Sequence, residues 1–129
     1  MGPIWDFDLG FGRVSHYFDN GPDGWHVREH AWISRLLDDP AFVTQVQDRF
    51  NNLYLANKQY ILDKIDEQAE LLQWSQQENF NTWQILGVPV WPGDDGVNEL
   101  FNSYDDAVFS LKQWYEDRMD WIEQNIGSI

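Results

Sequence analysis

Cysteine is missing from all 129 residues, which excludes disulfides, thiolate metal sites and a cysteine nucleophile. Positive charge is scarce too: eight Lys and Arg face 22 Asp and Glu, for a formal net charge of −14. Phosphate backbones and anionic lipid surfaces repel such a chain, so no nucleic-acid and no membrane partner is expected. Basic proteins and metal ions are its electrostatic match. No stretch approaches the roughly 18 apolar residues of a membrane span. The opening Met-Gly-Pro-Ile-Trp-Asp has no basic region followed by an apolar run, so no signal peptide is visible. Gly-x-Gly-x-x-Gly, Gly-Lys-Ser/Thr and Gly-x-Ser-x-Gly are all absent. Ser15 and Ser34 therefore lack the setting of a hydrolase nucleophile.

Aromatic residues are the abundant class, with eight Trp, eight Phe and five Tyr in a chain that is 43% apolar. That supply can fill a core, and the length suits one domain. A core of this size cannot hide every Trp. Some are expected half exposed or facing a neighbour, with Trp25 after Gly24 and Trp91 in a Pro-Gly loop as the best exposed candidates.

Hydrophobic spacing predicts a mainly α chain, a bundle of about four to five helices behind a short N-terminal strand or loop. Gly2 to Gly12 alternates Ile4, Trp5 and Phe7 with Asp6 and Asp8, as a strand does, and Gly10 and Gly12 mark its exit. Arg13 to Gly24 reads as loop. Glu29 to Leu37 has helical spacing, and Asp38-Asp39-Pro40 ends it. Asp39 can cap the next helix, with Pro40 at its first position. That helix is expected to run to about Ala56, with Phe42, Val43, Val46, Phe50 and Leu53 inward. A third covers Gln59 to about Gln76, with Ile61, Leu62, Ile65, Ala69, Leu72 and Trp74 inward, and continues towards Leu86 before Gly87-Val88-Pro89 stops it. Ser103 caps the last helix, whose broad apolar stripe includes Ala107, Val108, Leu111, Trp114, Tyr115, Trp121, Ile122 and Ile126. Residues 1–27 thus form a strand and loop, and 28–129 a helical lobe.

The densest polar constellation is Asp6-Phe7-Asp8 within Gly2 to Gly12. Side chains at i and i+2 of a strand project to one side, so both carboxylates can reach one divalent cation. Mg²⁺ favours one or two carboxylates with phosphate and water oxygens, and flanking glycines let the backbone turn beside a ligand. The alternative is that both acids simply form a turn or cap. A calcium loop counted from Asp6 fails, because its twelfth position is Tyr17 rather than Glu. His16, His26 and His30 read as ordinary loop or core histidines. Arg28, Lys58, Lys64 and Arg118 read as members of surface or lobe-packing ion pairs.

The stretch Gly-Pro-Ile-Trp-Asp-Phe-Asp-Leu-Gly-Phe-Gly resembles a motif of the CotH family, atypical protein kinases first associated with bacterial spore coats. Trp32 to Phe42 is similar to that family's helix–Asp-Pro–helix junction, and Ile61 to Asp66 and the final helix are similar to its C-terminal lobe. The resemblance implies that Asp6, with Asp8 as a second ligand, binds the Mg²⁺ (or Mn²⁺) that bridges the phosphates of ATP. In Asp6-Phe7-Asp8 the second acid replaces the glycine of the common kinase triplet. The resemblance also implies that the phosphate-covering loop, nucleotide lysine and catalytic carboxylate precede this motif. The chain is accordingly expected to be the C-terminal lobe of a larger kinase, inactive alone, with no catalytic residue of its own and no tightly bound cofactor. Its expected partners are the N-terminal part of the kinase domain and the protein substrate, and homodimerisation through the exposed lobe surface is a further expectation. The resemblance implies a bacterial source and a spore-coat or cell-surface setting. The alternatives from other classes are a pseudokinase lobe and an acidic, Trp-rich binding module for protein or carbohydrate.

Overall fold

The computed structural model describes Phe11 and residues 21–26, 28–89 and 101–129. These residues are mainly helical. In chain order they form α1 (Ala31–Leu37), α2 (Pro40–Arg49), α3 (Lys58–Leu71), α4 (Gln73–Thr82) and α5 (Tyr104–Asn125). The expected N-terminal strand lies outside the described residues.

Both capping expectations hold. Asp39 stands at the N-cap of α2 and its carboxylate accepts the Ala41 amide at 2.9 Å, with Pro40 at the first helical position. Ser103 caps α5, its hydroxyl accepting the Asp106 amide at 3.1 Å. Asp105 and Asp106 in the first turn of α5 complement the positive end of the helix dipole.

The uninterrupted helix expected from Pro40 to Ala56 is corrected. Beyond α2 the chain widens into a π turn at Phe50–Tyr54, then tightens into a 3₁₀ turn at Leu55–Asn57. Asparagines supply a physical reason, because their amides compete with the backbone for carbonyls. Asn52 donates to Asp48 O at 2.8 Å, and Asn57 to Leu53 O at 2.6 Å. Of the residues expected inward on this helix, Phe50 is buried, Phe42, Val43 and Val46 are half-buried and Leu53 is exposed.

A second correction concerns α3 and α4. The chain breaks at Leu72 (φ −86°, ψ 0°), so no single apolar face runs through both helices. Leu62 is buried and Ile65 and Ala69 are half-buried, whereas Ile61, Leu72 and Trp74 are exposed. Helix α4 touches α5 through Phe80, whose ring lies 6.5 Å from that of Tyr104. Gly87 closes the stretch with φ +71°, and its amide donates to Phe101 O at 2.8 Å.

The core lies along α3 and α5. Lys58 pairs with Asp120, and Lys112 pairs with both oxygens of Asp66 at 2.7 and 2.6 Å. As the α3 partner advances by eight residues, the α5 partner retreats by eight, so the two helices run antiparallel. Leu62 sits between the ion-paired positions of α3, and it is buried together with Met119 of α5 and Phe50 of the π turn. Gln47 donates to Ile126 O at 3.1 Å and brings the end of α2 onto the end of α5.

Leu62→Ala is expected to cost about 2–4 kcal/mol, the range for deleting a buried Leu side chain. Lys112→Ala breaks an exposed pair and should cost less than about 1 kcal/mol. Urea denaturation followed by circular dichroism separates the two. Equal losses would show that the ion pairs rather than the seam hold α3 to α5.

Candidate functional site

Asp6 and Asp8, the expected metal ligands, lie outside the described residues, as do His16 and Trp91. Their chemistry fits the ion: two carboxylates offer hard oxygen donors of the kind Mg²⁺ and Mn²⁺ take. Among the described residues no three His, Asp or Glu side chains are grouped to hold a metal. His26 is exposed, with Nε2 3.2 Å from Gly21 O, and His30 stands at the N-cap of α1 without a side-chain capping bond.

Phe11 and residues 22–25, which come after the Asp6–Asp8 motif in sequence, meet one side of α5. Trp114, Arg118 and Trp121 are spaced by four and three positions, which puts them on one helical face. The same periodicity places them roughly opposite the side carrying Lys112 and Asp120. Helix α5 thus has α3 on one flank and Phe11 with residues 22–25 on the other.

Among the described residues, this second interface has an aromatic pair at each end and two hydrogen bonds between them. Phe11 packs against Trp114 with ring centroids 5.6 Å apart and planes tilted by 55°. One turn along, Arg118 Nη1 donates to Pro22 O and Gly24 O, both at 2.7 Å. Trp25 then meets Trp121 edge to face at 4.9 Å, while the Arg118 guanidinium lies 5.2 Å from the Trp121 ring. Gly24 has φ +93°, a conformation that L side chains rarely adopt, so it suits the backbone turn beside Arg118.

Arg118 is half-buried. Loss of solvent pushes its pKa down, and the nearby Asp23 carboxylate pulls the other way. An arginine stays charged under either influence, so a fixed cation faces the turn. Sequence reasoning placed Arg118 in an ion pair, whereas its described hydrogen bonds go to backbone carbonyls. The available signal was a charged residue set inside the stripe of Trp114, Tyr115 and Trp121. Arg28 likewise reaches a carbonyl, Ser128 O at 3.5 Å, while Lys58 and Lys64 do form ion pairs, with Asp120 and Glu67.

Trp25 is therefore not an exposed aromatic: it is half-buried against Trp121. The exposed tryptophans among the described residues are Trp32 at 86%, Trp74 at 70% and Trp83 at 64%, and Phe109, Tyr60, Tyr54 and Phe11 are exposed aromatics as well.

The family model described as CotH kinase protein matches residues 1–122. That match takes in both the Asp6–Asp8 motif and nearly all of α5. No curated protein and no solved structure matches the chain.

Tyr115, beside Trp114 on α5, has its pKa raised by burial, which disfavours the phenolate. Its contribution to stability is complete below the unfolded value of about 10 and is lost as pH rises through the higher native value. Native-state phenolate absorbance should therefore contain a late-titrating fraction, and Tyr115→Phe should remove it. If the late fraction persists in the variant, Tyr115 is not its source.

Proposed function

The chain belongs to the CotH kinase protein family, and from that premise we propose that it is the helical C-terminal lobe of a Mg-ATP-dependent protein kinase. The full-length kinase phosphorylates Ser or Thr on a protein substrate, and residues 1–129 supply the metal-binding motif without being active alone. In this reading residues 1–27 carry the motif and its loop, and 28–129 form the lobe that supports them. Asp6 is the principal metal ligand and Asp8 the second. Bound by these two carboxylates, Mg²⁺ or Mn²⁺ would supply positive charge that offsets the charge on the phosphoryl group transferred by the full-length kinase. The chain's own task is to keep those two carboxylates ionised and oriented. The observation that carries this reading is the family match, because it includes Asp6 and Asp8.

A second reading has its own observation. Trp32, Trp74 and Trp83 are exposed on an acidic surface, as a protein- or glycan-binding module would have them. Quenching of tryptophan fluorescence by glycans would favour that module, whereas the kinase reading expects none.

The test is phosphoryl transfer from labelled ATP with Mg²⁺ or Mn²⁺. It compares the encoded full-length protein, its Asp6→Ala variant and residues 1–129 alone. Only the full-length wild type should transfer phosphate, and Asp6→Ala should lose at least about 100-fold, the scale of one preorganised electrostatic group. Activity in residues 1–129 alone would overturn the division of labour, and an unaffected Asp6→Ala variant would overturn the metal assignment. A full-length protein inactive with every metal and acceptor would leave a pseudokinase or binding module as the better description.

A further inference from the structure

Between Lys64 and Lys112 the sequence holds nine Asp and Glu, seven Phe, Trp and Tyr, and no Lys, Arg or His. The fold gathers the described part of this stretch at one end of the lobe. Lys112 pairs with Asp66. The antiparallel register then brings the next turn of each helix level, Glu70 of α3 with Phe109 of α5. Trp74 follows Glu70 across the break at Leu72, and α4 stays beside the start of α5 through Phe80 and Tyr104. Three large apolar side chains stand in the open there: Leu71 is 71% exposed, Trp74 70% and Phe109 69%. Leaving such surface in water forgoes the gain of burial, and an exposed apolar cluster marks an interaction surface.

The charge around these side chains is of one sign. Lys64 is taken up by Glu67 and Lys112 by Asp66, whereas Glu70 and Glu78 have no ion pair among the described residues. Glu70 and Glu78 stand four residues before and after Trp74. Glu70 also lies in the last turn of α3, at the negative end of the helix dipole, where a carboxylate is disfavoured. A cation brought to this place relieves repulsion as well as forming a pair.

We propose that the end of the α3–α5 seam around Leu71, Trp74 and Phe109 is a docking surface for a cationic segment of a partner protein. Apolar side chains of that segment cover the three exposed ones, and its Lys or Arg side chains pair with Glu70 and Glu78. Charge decides the occupant. A second copy of this chain, docked through the same surface, would set these carboxylates against themselves. Nucleic acid and an anionic membrane are repelled by the net charge of −14. The proposal is independent of the metal assignment at Asp6 and Asp8.

The probe is a fluorescently labelled amphipathic Leu/Lys helix with Leu at i, i+3, i+4 and i+7 spacing, with its Leu/Glu counterpart as control. Its anisotropy is followed with the encoded full-length protein and with residues 1–129. The Leu/Lys peptide should bind both, and the Leu/Glu peptide neither. Trp74→Ala and Phe109→Ala should each weaken binding about tenfold, the loss typical of an aromatic anchor. Glu70→Gln should weaken it about threefold, within the range of an exposed ion pair. Glu123→Gln, near the far end of α5, should leave it unchanged. All four side chains are exposed, so the variants should keep the fold, which circular dichroism checks. Equal losses in Glu70→Gln and Glu123→Gln, with none in the aromatic variants, would show diffuse attraction to an acidic protein and overturn the proposal. Binding of the Leu/Glu peptide, or no binding of the Leu/Lys peptide, overturns it too. Binding by residues 1–129 but not by the full-length protein would mean that the rest of the protein covers this surface, which also overturns it. So does a dimer in sedimentation that Phe109→Ala abolishes, since the occupant is then a second copy.

Discussion

The antiparallel seam between α3 and α5 is the constraint from which the rest of the arrangement follows. Phe50, Leu62 and Met119 are the buried hydrophobic residues among those described, and two of them belong to these helices. Burying them gives the lobe its non-directional attraction, while Lys58–Asp120 and Asp66–Lys112 select which residues stand opposite each other. Exposed pairs of this kind add little energy. Their value is in the register. Once α5 is fixed in azimuth by the seam, its far side is fixed as well, and Trp114, Arg118 and Trp121 are turned towards Phe11 and residues 22–25.

The breadth of the α5 stripe makes sense in this light. A helix that packs on one neighbour needs an apolar face of about 100°, and α5 is apolar over more than that. It serves two neighbours. Its long stripe was legible from spacing alone, as were both caps and the Asp39-Pro40 start of α2, because these features depend on local residues. The break at Leu72 and the π turn were not legible. Both interrupt helices whose residues are compatible with continuation, and the asparagine-to-carbonyl bonds at Asn52 and Asn57 have no strong sequence signature. The exposure of Leu72 and Trp74 follows from the first of these misreadings.

The candidate site was legible in a different way. The acidic pair Asp6 and Asp8 stood out by residue type and spacing, and the family match over residues 1–122 supports the resemblance on which their assignment rests. What spacing could not supply was the contact that Arg118 makes. Arg118 is more than 90 residues from the turn it holds, and no local pattern announces a contact across that distance. A charged residue inside a helix's apolar stripe deserved a stronger expectation than a surface ion pair, since only a specific partner justifies its burial.

The π turn at Phe50–Tyr54 carries a further meaning. A π turn accommodates an extra residue relative to the α-helical path, and each residue rotates the following helix by about 100°. The count of residues between α2 and α3 therefore acts as a phase setting for everything downstream. Removing that one extra residue would let the helix run on regularly with Leu62 still on the seam, whereas removing a second would swing Leu62 off it and carry Lys58 and Asp66 away from their partners. Tolerance to sequence change and tolerance to length change are thus separate properties in this lobe. The exposed side chains of 51–54 can vary widely, while their number can change only by the one residue that the π turn absorbs.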